Sequence, residues 1–151
     1  MDNAARVTVD VDGAVAHVRL NRPDKLNALD TAMFEGLVSA GKRLMSDPDI
    51  RAVVVSGNGR AFCAGLDFSQ FARIAEGGGE HSPRPPTTEE RIGGSTALGP
   101  QAALVWSQVP VPVIAGIHGV AYGGGLQIAL GADIRWRPRT RSFPSWRCGG
   151  D

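Results

Sequence analysis

The sequence is poor in the residue types on which several common functions are built. It has two cysteines, Cys63 and Cys148, in 151 residues. Two do not make a disulfide framework, and there is no CxxC pair or Cys/His ligand spacing, so no metal site is expected. The net charge is +1, which gives no global attraction to nucleic acid or to an anionic membrane. No apolar run approaches the ~18 residues of a membrane span. The N-terminal "MDNAARVTVD" has no apolar stretch of the kind that a secretory leader needs. A cytoplasmic chain with reduced thiols is expected, with neither nucleic acid nor membrane as partner. No glycine is followed by Lys-Ser/Thr, and no GxSxG is present, which removes the phosphate-cradling loop and the serine elbow. "GNGRAF" is too incomplete for a dinucleotide fingerprint.

What is present is a core and an excess of glycine. Hydrophobic residues make up 42% of the chain, enough for one packed domain. The 20 glycines are nearly twice the ordinary share of about 7%, which suggests many close backbone approaches. Charge is uneven. Residues 136–151 hold four arginines against one aspartate, a local +3, so the rest of the chain sums to −2.

The periodicities alternate between strand and helix. "RVTVDVDGAVAHVRLN" alternates on both sides of Asp12-Gly13, a strong hairpin signal. After the loop "NRPDKLNALD", Asp30 is placed to cap a helix over Thr31–Met45, with Met33, Leu37 and Leu44 on one face. "RAVVVSG" suits a short strand buried on both faces. Residues 76–100 are rich in Gly, Pro, Ser and Thr and read as a surface loop, with one helical turn at "TTEER". "QAALVWSQV" reads as a helix, "VPVPVIAGIHGVAYGGG" as a second buried strand with a glycine turn, and "LQIALGADI" as a helix opening there. The order predicts an alternating α/β fold.

Two glycine-bearing turns, "AFCAGLDF" and "GVAYGGGLQ", each follow an apolar strand. Strand-to-helix junctions expose backbone N–H groups. Two such turns from neighbouring strands can aim two N–H groups at one oxygen, the architecture of an oxyanion hole.

Taken together, "NRPDKLNAL", "GNGRAFCAGLDF" and "PVPVIAGIHGVAYGGGLQIALGADIR" resemble the enoyl-CoA hydratase/isomerase (crotonase) family over about residues 5–135, in the expected order. The resemblance implies a crotonase-like ββα spiral, incomplete because its C-terminal helical part is missing. It implies an acyl-CoA thioester substrate, no metal, no cofactor beyond the coenzyme A of the substrate, and a homotrimer or hexamer. It also implies that the N–H groups of Leu66 and Gly124 form the oxyanion hole around a thioester enolate. Lys25, Leu26, Ala28, Ala61, Ala64 and Leu66, within the segments 25–29 and 61–66, would line the coenzyme A groove.

The resemblance breaks where proton transfer is done. Hydratases of the family carry an acid two positions after the glycine triplet, and here that position is Gln127. Adding water across a double bond needs a group that gives or takes a proton, which an amide does not do. The family's second acid falls twenty positions later, at Arg147. That lies in "WRPRTRSFPSWRCGGD", a stretch without period. With GC-rich codons assigned to residues 136–151, the nucleotides read one base earlier translate as [V/L/M]AAPDAQFSVLEVRWG, with a Glu in register for that second acid. Residues 136–151 are therefore expected to be an out-of-frame, non-family tail on a core of residues 1–135, and little or no activity is expected of the polypeptide alone. A single-Glu ancestor would fit double-bond isomerisation better than hydration. The alternative is a non-catalytic fragment or interaction protein whose basic tail binds a partner.

Simpler roles are expected for the remaining polar residues. Asp67 is expected to cap a helix beginning near Phe68, His118 to be a hydrogen-bonded core histidine, and Cys63 to be a small buried hydrophobe.

Overall fold

A computed structural model describes residues 5–68 and 97–138. Strand β1, Val7–Asp12, turns at Gly13 into β2, Val15–Leu20. A single 3-10 turn, Pro23–Lys25, leads to helix α1, Thr31–Met45. Strand β3 is Ala52–Gly57, helix α2 is Leu98–Gln108 and strand β4 is Val113–Gly116. Helix α3, Gly124–Leu130, then leads to strand β5, Ile134–Trp136. The strands form one sheet in the order β1-β2-β3-β4-β5. The hairpin pair is antiparallel and every later neighbour is parallel. Each parallel step needs a crossover, so β3 and β4 send their following loops out at the same end of the sheet.

The hairpin and α1 fall where the sequence pattern puts them. The Asp30 side chain accepts a hydrogen bond from the Met33 N–H at 2.8 Å, which caps α1. A 15-residue helix is marginal in water by itself. Met33, Leu37 and Leu44 are each at most 1% exposed, and burying each contributes about 1.5–3 kcal/mol. Packing against α2 and the sheet therefore decides that α1 forms. The core continues through Ala16, Val18, Leu20, Val53, Val55, Val113 and Ala115, one side of the sheet.

Four features differ from the sequence reading. The opposite face of β3 is only half-buried at Val54, so this strand is covered fully on one face among the described residues. Helix α2 starts at Leu98, inside the segment read as loop, because Gly99 and Pro100 fall in its first turn, where a proline's missing N–H has no bond to lose. Helix α3 begins at Gly124 and ends at Leu130, so "ADI" is not helical. Instead Ile134–Trp136 is a fifth strand that the pattern did not reveal. It is three exposed residues at a sheet edge, too short to show a period. Asp133 sets its register: its carboxylate accepts from Val113 N at 2.8 Å, and its own N–H donates to Val113 O at 2.9 Å. The strand runs one residue past the boundary drawn at 135. The "TTEER" turn and residues 139–151 lie outside the described residues. Among the described residues, no helix is long and apolar enough to cross a membrane.

Helices α1 and α2 cross tightly at Gly41, where an added Cβ would stand 2.2 Å from Val105 Cγ2. Alanine is the better helix former by about 1 kcal/mol, but overpacking a core costs about 1–3 kcal/mol. Gly41→Ala should therefore lower the urea midpoint, by up to about 2 kcal/mol in stability. A raised midpoint would show that this crossing is loose.

Candidate active site

The loops after β2, β3 and β4 meet at one end of the sheet. Residues 26–29 run beside residues 63–67. Ala64 N–H donates to Leu26 O at 2.9 Å, Leu29 N–H to Gly65 O at 2.8 Å, and Asp67 N–H to Leu29 O at 3.0 Å. Leu29 and Leu66 thus form an isolated parallel bridge. Residues 63–65 in turn lie against the glycine turn after β4. Cys63 pairs with Ala121, donating to Val120 O at 3.0 Å and accepting from Tyr122 N at 3.0 Å.

Gly65 is the point of closest approach. A Cβ there would stand 2.8 Å from Tyr122 O and 3.8 Å from Gly123 N, and its φ of +90° is a conformation that L side chains rarely adopt. The next residues on the two loops are Leu66 and Gly124. In the bridge, Leu29 bonds Gly65 and Asp67, so the N–H of Leu66 itself faces away from Leu29. Gly124 opens α3, where an N–H has no intrahelical acceptor. Among the described residues, neither N–H donates a backbone hydrogen bond. Leu66 is 42% exposed and Gly124 is half-buried.

The other residues singled out from sequence lie on these same loops and on α3. Lys25 is exposed on the 3-10 turn, while Leu26, Ala28 and Ala64 are half-buried. Ala61 is only 1% exposed, so its methyl belongs to the core and only its backbone borders the loop. Gln127 is exposed on α3, three residues beyond Gly124 and so on the same side of the helix. His118 is hydrogen-bonded as expected, its Nε2–H donating to Gly59 O at 3.0 Å, but it is half-buried and not in the core. Phe68, where a helix capped by Asp67 was expected to begin, is helical, and the residues that follow it lie outside the described residues. The Asp67 carboxylate stands 2.7 Å from Arg22 Nη1.

Two residues not singled out from sequence hold these loops. Arg22 reaches Asp67 and also Asp30, at 3.4 Å, while Arg6 meets the same Asp30 oxygen at 3.0 Å. The Arg22 and Asp67 side chains are 12% and 13% exposed, so this pair is largely out of water. Asn27 is fully buried and bonds to its own loop and to the loop after β3. In "NRPDKLNALD" both residues look like ordinary loop polars. Only a spacing that reads Asn27 as a left-handed turn residue would have signalled it.

The chain belongs to the enoyl-CoA hydratase/isomerase family, whose model matches residues 10–145. Among curated proteins it is 40% identical over 129 residues to Probable enoyl-CoA hydratase EchA14 of Mycobacterium tuberculosis, covering 85% of this chain and 45% of that protein. It is 36% identical over 123 residues to the mitochondrial Delta(3,5)-Delta(2,4)-dienoyl-CoA isomerase of Mus musculus, covering 81% of this chain and 37% of that one. Among solved structures, Pseudomonas aeruginosa PA4980 superposes with a TM-score of 0.73 at 31% identity, over 91% of this chain and 54% of its own. The fold is thus crotonase-like, and the chain spans about half the length of the curated relatives it matches.

Cys63 is chemically quiet. Burial pushes its thiol up to about 11, against a weak opposing effect of the Gly65 N–H on Sγ. Its S–H points to Asn27 O at 3.1 Å. The raised value favours the neutral thiol in the fold. Its contribution is therefore full below the ordinary value near 9.0 and is lost as pH climbs from there toward about 11. At pH 8, iodoacetamide should leave Cys63 of the native protein unmodified while alkylating it fully in urea, as read by peptide mass mapping. Equal rates in the two states would contradict this.

Proposed function

We propose that this site takes an acyl-CoA thioester and polarises its carbonyl between the N–H groups of Leu66 and Gly124. One observation carries the reading: two loops packed so closely at Gly65 that no side chain fits between them, with the next N–H on each left out of the backbone ladder. Donors fixed before reaction cost no reorganisation when negative charge develops on the oxygen, so they favour the enolate over the ground-state thioester. The curated relatives named above as a hydratase and an isomerase of CoA thioesters both fit such a step. Coenzyme A would enter as part of the substrate, along the exposed side of residues 25–29 and 64–66.

The proton-transfer machinery is weak by comparison. Gln127 stands beside Gly124 on the exposed side of α3, where the resemblance calls for an acid. Its amide can hold a water or a substrate oxygen but cannot take the proton that hydration or isomerisation moves. The polypeptide should therefore bind and polarise a thioester while turning it over slowly or not at all.

A short 2-enoyl-CoA labelled with ¹³C at the thioester carbon tests this directly. On binding, its carbonyl resonance should move downfield, while enoyl absorbance stays constant. Gly65→Ala forces a Cβ toward Tyr122 O and should abolish most of that movement, weakening binding about tenfold, the equivalent of one lost hydrogen bond of ~1.4 kcal/mol. A resonance unmoved by saturating wild-type protein would contradict the two-amide reading, and rapid loss of enoyl absorbance would contradict the weak proton transfer.

A further inference from the structure

The bridge that aims Leu66 is short, and something must hold its register. A pair of strands can slip by one residue, and each slip exchanges the N–H groups used in the ladder for those facing outward. At the Leu29–Leu66 bridge such a slip would spend the Leu66 N–H on its neighbour and present another in its place. Three backbone bonds join residues 26–29 to residues 64–67.

Asn27 supplies what the bridge lacks. Its side chain is 0% exposed. Its Nδ2 lies 2.9 Å from Asn58 O, 2.9 Å from Ala61 O and 3.2 Å from Phe62 O, so two N–H groups serve three carbonyls. Its Oδ1 accepts from Arg22 N at 2.8 Å. One side chain therefore ties the loop after β2 to the loop after β3, with no polar atom left over, as burial of an amide demands. The backbone repeats the tie: Asn27 N–H donates to Arg22 O at 2.9 Å, and Asn27 O accepts from Cys63 Sγ at 3.1 Å. Its φ of 56° is left-handed, a conformation that asparagine tolerates better than most residues. The space is reserved from the other side as well. A Cβ on Gly57, at the end of β3, would stand 2.6 Å from Asn27 Nδ2 and 2.5 Å from Ala61 O and Phe62 O.

We infer that Asn27 is a positioning residue, whose buried amide fixes the register of residues 26–29 against 63–67 and thereby the direction of the Leu66 N–H. The inference rests on the reading of Leu66 as a carbonyl donor, but its structural half can be tested without a ligand. In the wild-type protein the Asn27 side-chain NH₂ protons should exchange with solvent at least tenfold more slowly than those of an exposed amide. Asn27→Asp keeps the shape but turns an acceptor toward three carbonyls, and Asn27→Gly keeps the left-handed backbone but removes the amide. In either variant the Ala64 and Asp67 amides should exchange at least tenfold faster, while those of Val53 and Val55 in β3 keep their protection. With the labelled 2-enoyl-CoA, the downfield carbonyl movement seen with wild type should shrink toward the free value. A role in stability alone would not produce that signature in a variant that stays folded. Unchanged protection at Ala64 and Asp67 in a folded variant, or a fast-exchanging Asn27 NH₂ in wild type, would overturn the inference. The predicted exchange pattern without any wild-type carbonyl movement would support the register role and overturn the carbonyl-donor reading.

Discussion

Everything at the functional end of this molecule depends on one close contact, the backbone of Gly65 against that of Tyr122 and Gly123. No side chain can be accommodated there, since a Cβ would meet Tyr122 O at 2.8 Å. The contact exists because β3 and β4 are parallel neighbours and send their loops out at the same end. Parallel α/β sheets place ligand sites at such strand ends for this reason. The next N–H on each of the two loops, those of Leu66 and Gly124, is left out of the backbone ladder among the described residues. On the function proposed above, the site would stabilise an oxygen that gains negative charge more than it would move a proton.

The polar groups behind the contact are a second consequence of that approach. Two loops drawn together out of water carry carbonyls and N–H groups that must be matched, and an unmatched one costs about 1–3 kcal/mol. The chain meets this with the amide of Asn27 and with Arg22, which faces the carboxylates of Asp67 and Asp30. Arg22 also donates to Ala28 O at 3.2 Å. Because Arg22 faces both carboxylates and Arg6 also meets Asp30, Arg22 and Asp30 each have a second partner within this network. The thiol of Cys63, fully buried, is favoured as a neutral group.

Much of this was legible in the amino-acid order, and the limits have physical causes. The hairpin at Asp12-Gly13 and the Asp30-capped helix carry strong local signals, and both form as expected. The paired glycine turns were legible because glycine marks a backbone that nothing else can follow. Strand β5 was not, since its register comes from Asp133 reaching Val113 N and not from any period of its own. The roles of Arg22 and Asn27 were not legible either. Asn27 bonds to residues more than thirty positions away, and a single sequence holds no trace of that distance. Membership of the enoyl-CoA hydratase/isomerase family adds what local signals cannot, a set of matched segments in one order.

The central claim is that two amides converge on one thioester oxygen. Its most direct test is a titration of ¹⁵N-labelled protein with a non-reactive saturated acyl-CoA, following the amide protons of Leu66 and Gly124. The account predicts that both move downfield together, with a single shared affinity, as each gains a hydrogen bond. Movement of only one, or of neither while binding is evident elsewhere, would contradict it.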